Sequence, residues 1–154
     1  MLSMRHSRLQ LSVVLLLPLL AAFAWADNHA PTVEELKARI ANAGIGDRPA
    51  LCLKLSEMQL AAAGRLYTAG DNDQAKAALT DVTAFAELAR DYSIQSHRHE
   101  KQSEIAIRKM VRKLNDLKHT VTHEDQPQVD DTINKLERIR DDLLAAMFPK
   151  GNKK

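Results

Sequence analysis

The sequence predicts an all-α protein. Its antiparallel helical hairpins share one long central helix, about residues 73–122, with a four-helix bundle broken near 93–100 as the alternative path. Three observations lead there. From Asp71 to Gln126, a stretch of 56 residues, the chain has no Gly and no Pro and is filled largely with Ala, Leu, Lys, Arg, Gln and Glu, residues that lose little on entering a helix. Apolar residues recur at helical spacing within that stretch and on both sides of it. Neighbouring segments carry opposite charge, which suits antiparallel partners.

Residues 1–26 read as a secretory signal peptide. Arg5 and Arg8 precede an apolar run from Leu9 to Ala24, interrupted at Ser12 and Pro18 and followed by Ala24-Trp25-Ala26. The run is too short and broken for a comfortable membrane span, and the small Ala24 and Ala26 suit a peptidase site with cleavage after Ala26. The expected product is periplasmic or secreted, with residues 27–148 as one helical domain and 149–154 as a disordered basic tail. Removal of the signal leaves 20 basic and 20 acidic residues, with Tyr67, Phe85, Tyr92 and Phe148 as the aromatics. A nucleic-acid partner is not expected, because phosphate binding calls for excess positive charge and base stacking for aromatic rings. No membrane span is expected after cleavage.

Thr32-Val33-Glu34-Glu35 is a capping box, which opens a short helix with Val33, Leu36 and Ile40 on one face, ending near Gly44. Pro49 pre-sets φ for a second helix, whose expected inner face is Leu51, Leu55, Met58, Ala62 and Leu66, up to Gly70. In the long segment, steps of four and three from Val82 give Ala86, Ala89, Ser93, Ser96, Glu100, Ser103, Ile107, Met110, Leu114, Leu117 and Val121. The phase is unbroken, with apolar ends and a polar waist, and no turn residue marks a break, so one continuous helix is expected. Pro127, with Asp130 and Asp131 in the first turn, opens the last helix, whose inner face is Val129, Ile133, Leu136, Ile139 or Arg140, Leu143 and Met147.

Charge suggests which helices lie together. Arg98–Lys118 holds seven basic and three acidic residues, and Glu124–Asp142 seven acidic and three basic. Arg48–Arg65 and Asp71–Asp91 repeat the opposition more weakly. A lone hairpin leaves one side of its apolar stripe bare, so either the rod breaks and the hairpins cover each other, or a second chain covers the seam. The second solution, a homodimer, is the expected one.

Gly70-Asp71-Asn72-Asp73-Gln74-Ala75 resembles the turn of a tetratricopeptide repeat, where Gly and Asp close the corner and a small Ala lets the helices approach. The resemblance covers one hairpin, residues 50–90, and implies an all-helical scaffold that binds peptides. Ala63 stands where that family has a glycine, no proline ends the second helix, and no 34-residue partner repeat follows. No binding residue is carried over.

Candidate chemistry is sparse, and no enzyme is expected. His119 and His123 stand four apart at the expected end of the long helix with Glu124 and Asp125 beyond, a spacing that can present two imidazoles and a carboxylate to a divalent metal. His97, Glu100 and Glu104 form a second such group. Cys52 is the one cysteine; burial is its default role, and a bridge between two chains is the alternative in an oxidising compartment. Arg108, Lys109, Arg112 and Lys113 make a basic patch for an acidic partner or anionic lipid, unless the acidic last helix neutralises it. There is no glycine-rich phosphate loop, nucleophile elbow or HExxH motif. No cofactor is expected. The function that follows is an exported protein-interaction or scaffold module, and the alternative is a periplasmic metal-binding or metal-stress protein.

Overall fold

Five helices make up the described residues, 30–149, of the computed structural model: α1 (Val33–Asn42), α2 (Arg48–Ala69), α3 (Asn72–Ser96), α4 (Glu100–Lys118) and α5 (Gln126–Met147). No strand occurs among them. The expected signal peptide at 1–26, its cleavage after Ala26, and all of the basic tail except Pro149 lie outside the described residues.

Local chemistry accounts for most helix ends. The Glu35 amide donates to Thr32 Oγ1 at 3.2 Å and the Thr32 amide to Glu35 Oε2 at 2.9 Å, the reciprocal box that starts α1. Pro49 and Pro127 occupy the first turns of α2 and α5, where a missing N–H costs nothing. Gly70 stops α2 at φ 79°, a left-handed cap that lets the Asp71 amide reach back to the Leu66 carbonyl at 2.9 Å.

The all-α class stands, but the chain takes the alternative path. The expected continuous rod is broken at His97-Arg98-His99, with His97 at φ 51° and His99 at φ 68°. Left-handed conformations at two residues with side chains cost roughly 1–3 kcal/mol each. The corner lets α4–α5 fold back over α2–α3 and completes the burial of Val82, Ile107, Met110 and Leu114, where each fully buried large apolar side chain contributes about 1.5–3 kcal/mol. Burial outweighs the strain. The helical phase nevertheless carries through the corner, because Ser93 and Ser103, ten residues apart, are both buried and share a 2.8 Å hydrogen bond. The seam expected to need a second chain is covered by the chain's own other hairpin.

The hairpins α2–α3 and α4–α5 stack so that α3 runs along α5, α2 along α4, and α3 touches α4, while α2 and α5 stay apart. Asn72 and Lys76 of α3 meet Asp125, just before α5, and Arg90 meets Asp142 further along, so α3 and α5 are parallel. Between them lies one apolar cluster that includes Leu60, Leu79, Val82, Ile107, Met110, Leu114, Leu136 and Leu143. Helix α1 covers α2 alone. Among the described residues no helix is long and apolar enough to cross a membrane.

Two expectations about faces need correction. The buried stripe of α2 is Cys52, Leu53, Leu55, Ser56, Leu60 and Ala63, whereas Leu51, Met58, Ala62 and Leu66 are half-buried. This helix is apolar on several sides, and packing against α1, α3 and α4 chose the stripe. Ser56 is tolerated inside because its hydroxyl donates to the Val82 carbonyl at 2.7 Å. The charges of the first hairpin also do not pair with each other: among the described residues no ion pair joins α2 to α3, and Lys76 and Arg90 of α3 reach acids of the second hairpin instead. The second hairpin does pair across its helices, Lys118 of α4 meeting Asp130 of α5 at 2.7 Å in the sense its net charges suggest, and Arg140 of α5 meeting Glu104 of α4 at 2.8 Å in the reverse sense.

Candidate functional site: a cationic helix face and a buried aspartate

Helix α4 turns Ser103, Glu104, Ile107, Met110, Val111 and Leu114 inward. Its helical period therefore sends Arg108, Lys109, Arg112 and Lys113 outward, and all four are exposed. Among the described residues Lys109, Arg112 and Lys113 have no carboxylate within 4.0 Å; Arg108 has Glu104 at 3.7 Å, while the other oxygen of Glu104 receives the Arg140 guanidinium at 2.8 Å. Helix α5 thus meets α4 through Asp130 at Lys118 and through Arg140 at the buried Glu104, and leaves the cationic crest of α4 facing solvent.

Lys113 also stands on the rim of a groove of about 370 Å³ between α2 and α4, with Leu60, Ala61, Gly64 and Leu117 on its apolar walls and Glu57, Asp116 and Thr120 at its edges. A second groove, about 330 Å³, lies between α3 and α5 and is lined by Glu87, Arg90, Lys135, Arg138, Asp141 and Asp142, with Ile139 at its base. Both are open troughs along helix seams.

The metal candidates lose their geometric premise. Helix α4 ends at Lys118, so His119 is a C-terminal cap and His123 lies in the following turn; they do not share a helical face. Asp125, the carboxylate expected beside them, is already engaged by three donors. His97 sits in the corner, and Glu104 is held by Arg140, so the group of His97, Glu100 and Glu104 does not converge either. Among the described residues no three His, Cys, Asp or Glu side chains converge on a common point.

Cys52 is fully buried in the core cluster, and burial pushes its thiol up to about 11, against the opposing charge of Arg48. A protonated, enclosed sulfur does not reach another chain while the fold is closed. Its burial is the small-hydrophobe role expected by default.

The most connected polar group, Asp125, was expected from the sequence only as a carboxylate beside His119 and His123, not as a buried structural acceptor. Asp125 is 2% exposed and accepts from Lys76 Nζ at 2.9 Å, Asn72 Nδ2 at 2.8 Å and Thr122 Oγ1 at 2.7 Å. The Lys76 and Thr122 hydrogen bonds hold its carboxyl below the ordinary aspartate range. The buried Tyr67 hydroxyl has no hydrogen-bond partner among the described residues; burial, then the Asp125 charge, raise its phenol above the usual value, against the nearby Lys76. Asp125 therefore pins the start of α3 to the start of α5. Its local signal was an acid ahead of Pro127, but Asn72 lies 53 residues away in the chain, and no local pattern announces such a partner.

No family model, no curated protein and no solved structure matches this chain.

Proposed function

We propose that this chain is an exported, non-enzymatic interaction module whose working surface is the outer face of α4, and that its partner is an acidic protein segment. One observation carries the reading: Lys109, Arg112 and Lys113 stand exposed without an acid within 4.0 Å among the described residues, although the neighbouring helix is rich in acids. A like-signed cluster on a packed helix steers and retains a partner of opposite charge with little ordering cost. The apolar side of α4 faces the core, and the crest carries Asn115 and Asp116 rather than large apolar residues. A membrane-surface helix presents Trp, Phe or Leu beside its cations, so an acidic polypeptide is favoured over lipid. The resemblance of α2–α3 to a tetratricopeptide hairpin points to the same class of role.

A fluorescein-labelled glutamate-rich peptide, titrated by anisotropy, tests this. Binding should weaken steeply with added salt, and Lys109→Glu/Arg112→Glu/Lys113→Glu should weaken it about 100-fold, at roughly 1 kcal/mol per reversed contact, with the melting temperature unchanged. Equal binding by wild type and the triple variant defeats the reading.

A further inference from the structure

The corner between α3 and α4 is an unusual place to turn a chain. His97 and His99 both hold positive φ, at 51° and 68°. Histidine visits that region more readily than most residues, but two such positions flanking one arginine store strain that glycine would not. The flanking sequence favours helix throughout, with no Gly or Pro from Asp71 to Gln126. The buried phase also runs straight through, with Val82, Ala86, Ala89 and Ser93 before the corner and Ser103, Ile107, Met110 and Leu114 after it, all buried. Local preference and tertiary burial therefore conflict at three residues and agree elsewhere.

We infer that this corner is a hinge for domain swapping. It straightens into one helix spanning α3 and α4, and the α4–α5 hairpin of each copy packs on the α2–α3 hairpin of a second copy of this chain. The surface involved is the one already buried between the hairpins. The ties Arg90–Asp142, Lys76–Asp125 and Asn72–Asp125, which lie away from the corner, form equally well between two copies, so opening sacrifices little in the final dimer and releases the strain at both corners. Gln95, His97, Arg98, Lys101 and Gln102 are exposed, which suits a segment that crosses water between the two halves. The Ser93–Ser103 hydrogen bond marks the closed form, since ten residues of straight helix separate its ends by about 15 Å.

The test uses the full chain expressed in an exporting host, refolded at millimolar and at micromolar concentration and sized by light scattering. Wild type should yield dimer after concentrated refolding and monomer after dilute refolding. His97→Gly/His99→Gly, which eases the turn and weakens the straight helix, should raise the dimer dissociation constant about 100-fold or more. Ser93→Cys/Ser103→Cys supplies the decisive arm: the 2.8 Å separation of the two hydroxyls is compatible with a disulfide, confirmed within one chain by mass spectrometry. Formed under dilute conditions, that bridge locks the corner and should abolish dimer, and reduction should restore it. A wild type that stays monomeric after concentrated refolding overturns the inference, as does an oxidised variant that dimerises as well as the reduced one.

Discussion

The buried positions of the α2–α3 hairpin are rich in alanine: Ala63, Ala75, Ala78, Ala86 and Ala89. Those of α4–α5 are large: Ile107, Met110, Leu114, Leu136, Ile139 and Leu143. The first pair has no ion pair between its helices among the described residues, whereas the second is flanked by Lys118–Asp130 and Arg140–Glu104. Small residues let helix backbones approach closely and make fit the sensitive quantity. Large residues stand the helices further apart, make filled volume the sensitive quantity, and leave their edges to charges that select register. The same two-helix motif is therefore vulnerable to opposite errors in its two copies.

The largest effect should come from emptying the second hairpin. Leu114→Ala removes a fully buried side chain and should cost about 2–5 kcal/mol by urea denaturation. A value below 1 kcal/mol would show that α4–α5 collapses around the cavity and that volume is not its limiting quantity. Overfilling the first hairpin should come next. Ala75→Leu, at a position with no exposed surface, should cost about 1–3 kcal/mol, and no loss would mean that α2 and α3 have room between them.

The tie between the hairpins is read by acid. The folded carboxyl of Asp125 lies below its ordinary value of 3.8, so its contribution is complete above that value and disappears as pH falls through the lower folded value. Melting temperatures from pH 7 to pH 2 should fall less steeply in Asp125→Asn than in wild type, from a lower starting point at pH 7. Parallel acid slopes would remove Asp125 from the account. The smallest effect belongs to the exposed edge: Lys118→Ala, which breaks a half-exposed pair, should cost about 0–1 kcal/mol. A larger loss would make charge, rather than packing, the main bond of the second hairpin.

The candidate surface was legible where it depended on one helix. The spacing of Arg108, Lys109, Arg112 and Lys113 against Ile107, Met110 and Leu114 already set them on the outer side of α4. Their lack of acidic mates was not legible, because it depends on where the side chains of α5 end. His119 and His123 misled for the converse reason. Their spacing is that of one helical face only if the helix continues, and α4 stops at Lys118.

By itself the sequence determined what is decided within a few residues. That covers the capping box at Thr32, the left-handed stop at Gly70, the openings at Pro49 and Pro127, and the inward phase from Val82 to Leu114. Tertiary structure alone decided the corner at His97-Arg98-His99, the choice of stripe on α2, and the three donors that converge on Asp125. The reason is physical. Local propensity is worth tenths of a kcal/mol per residue up to about 1, which sets helix bounds when nothing opposes it. Burial of two hairpin faces is worth several times more, and it is gained only between residues far apart in the chain.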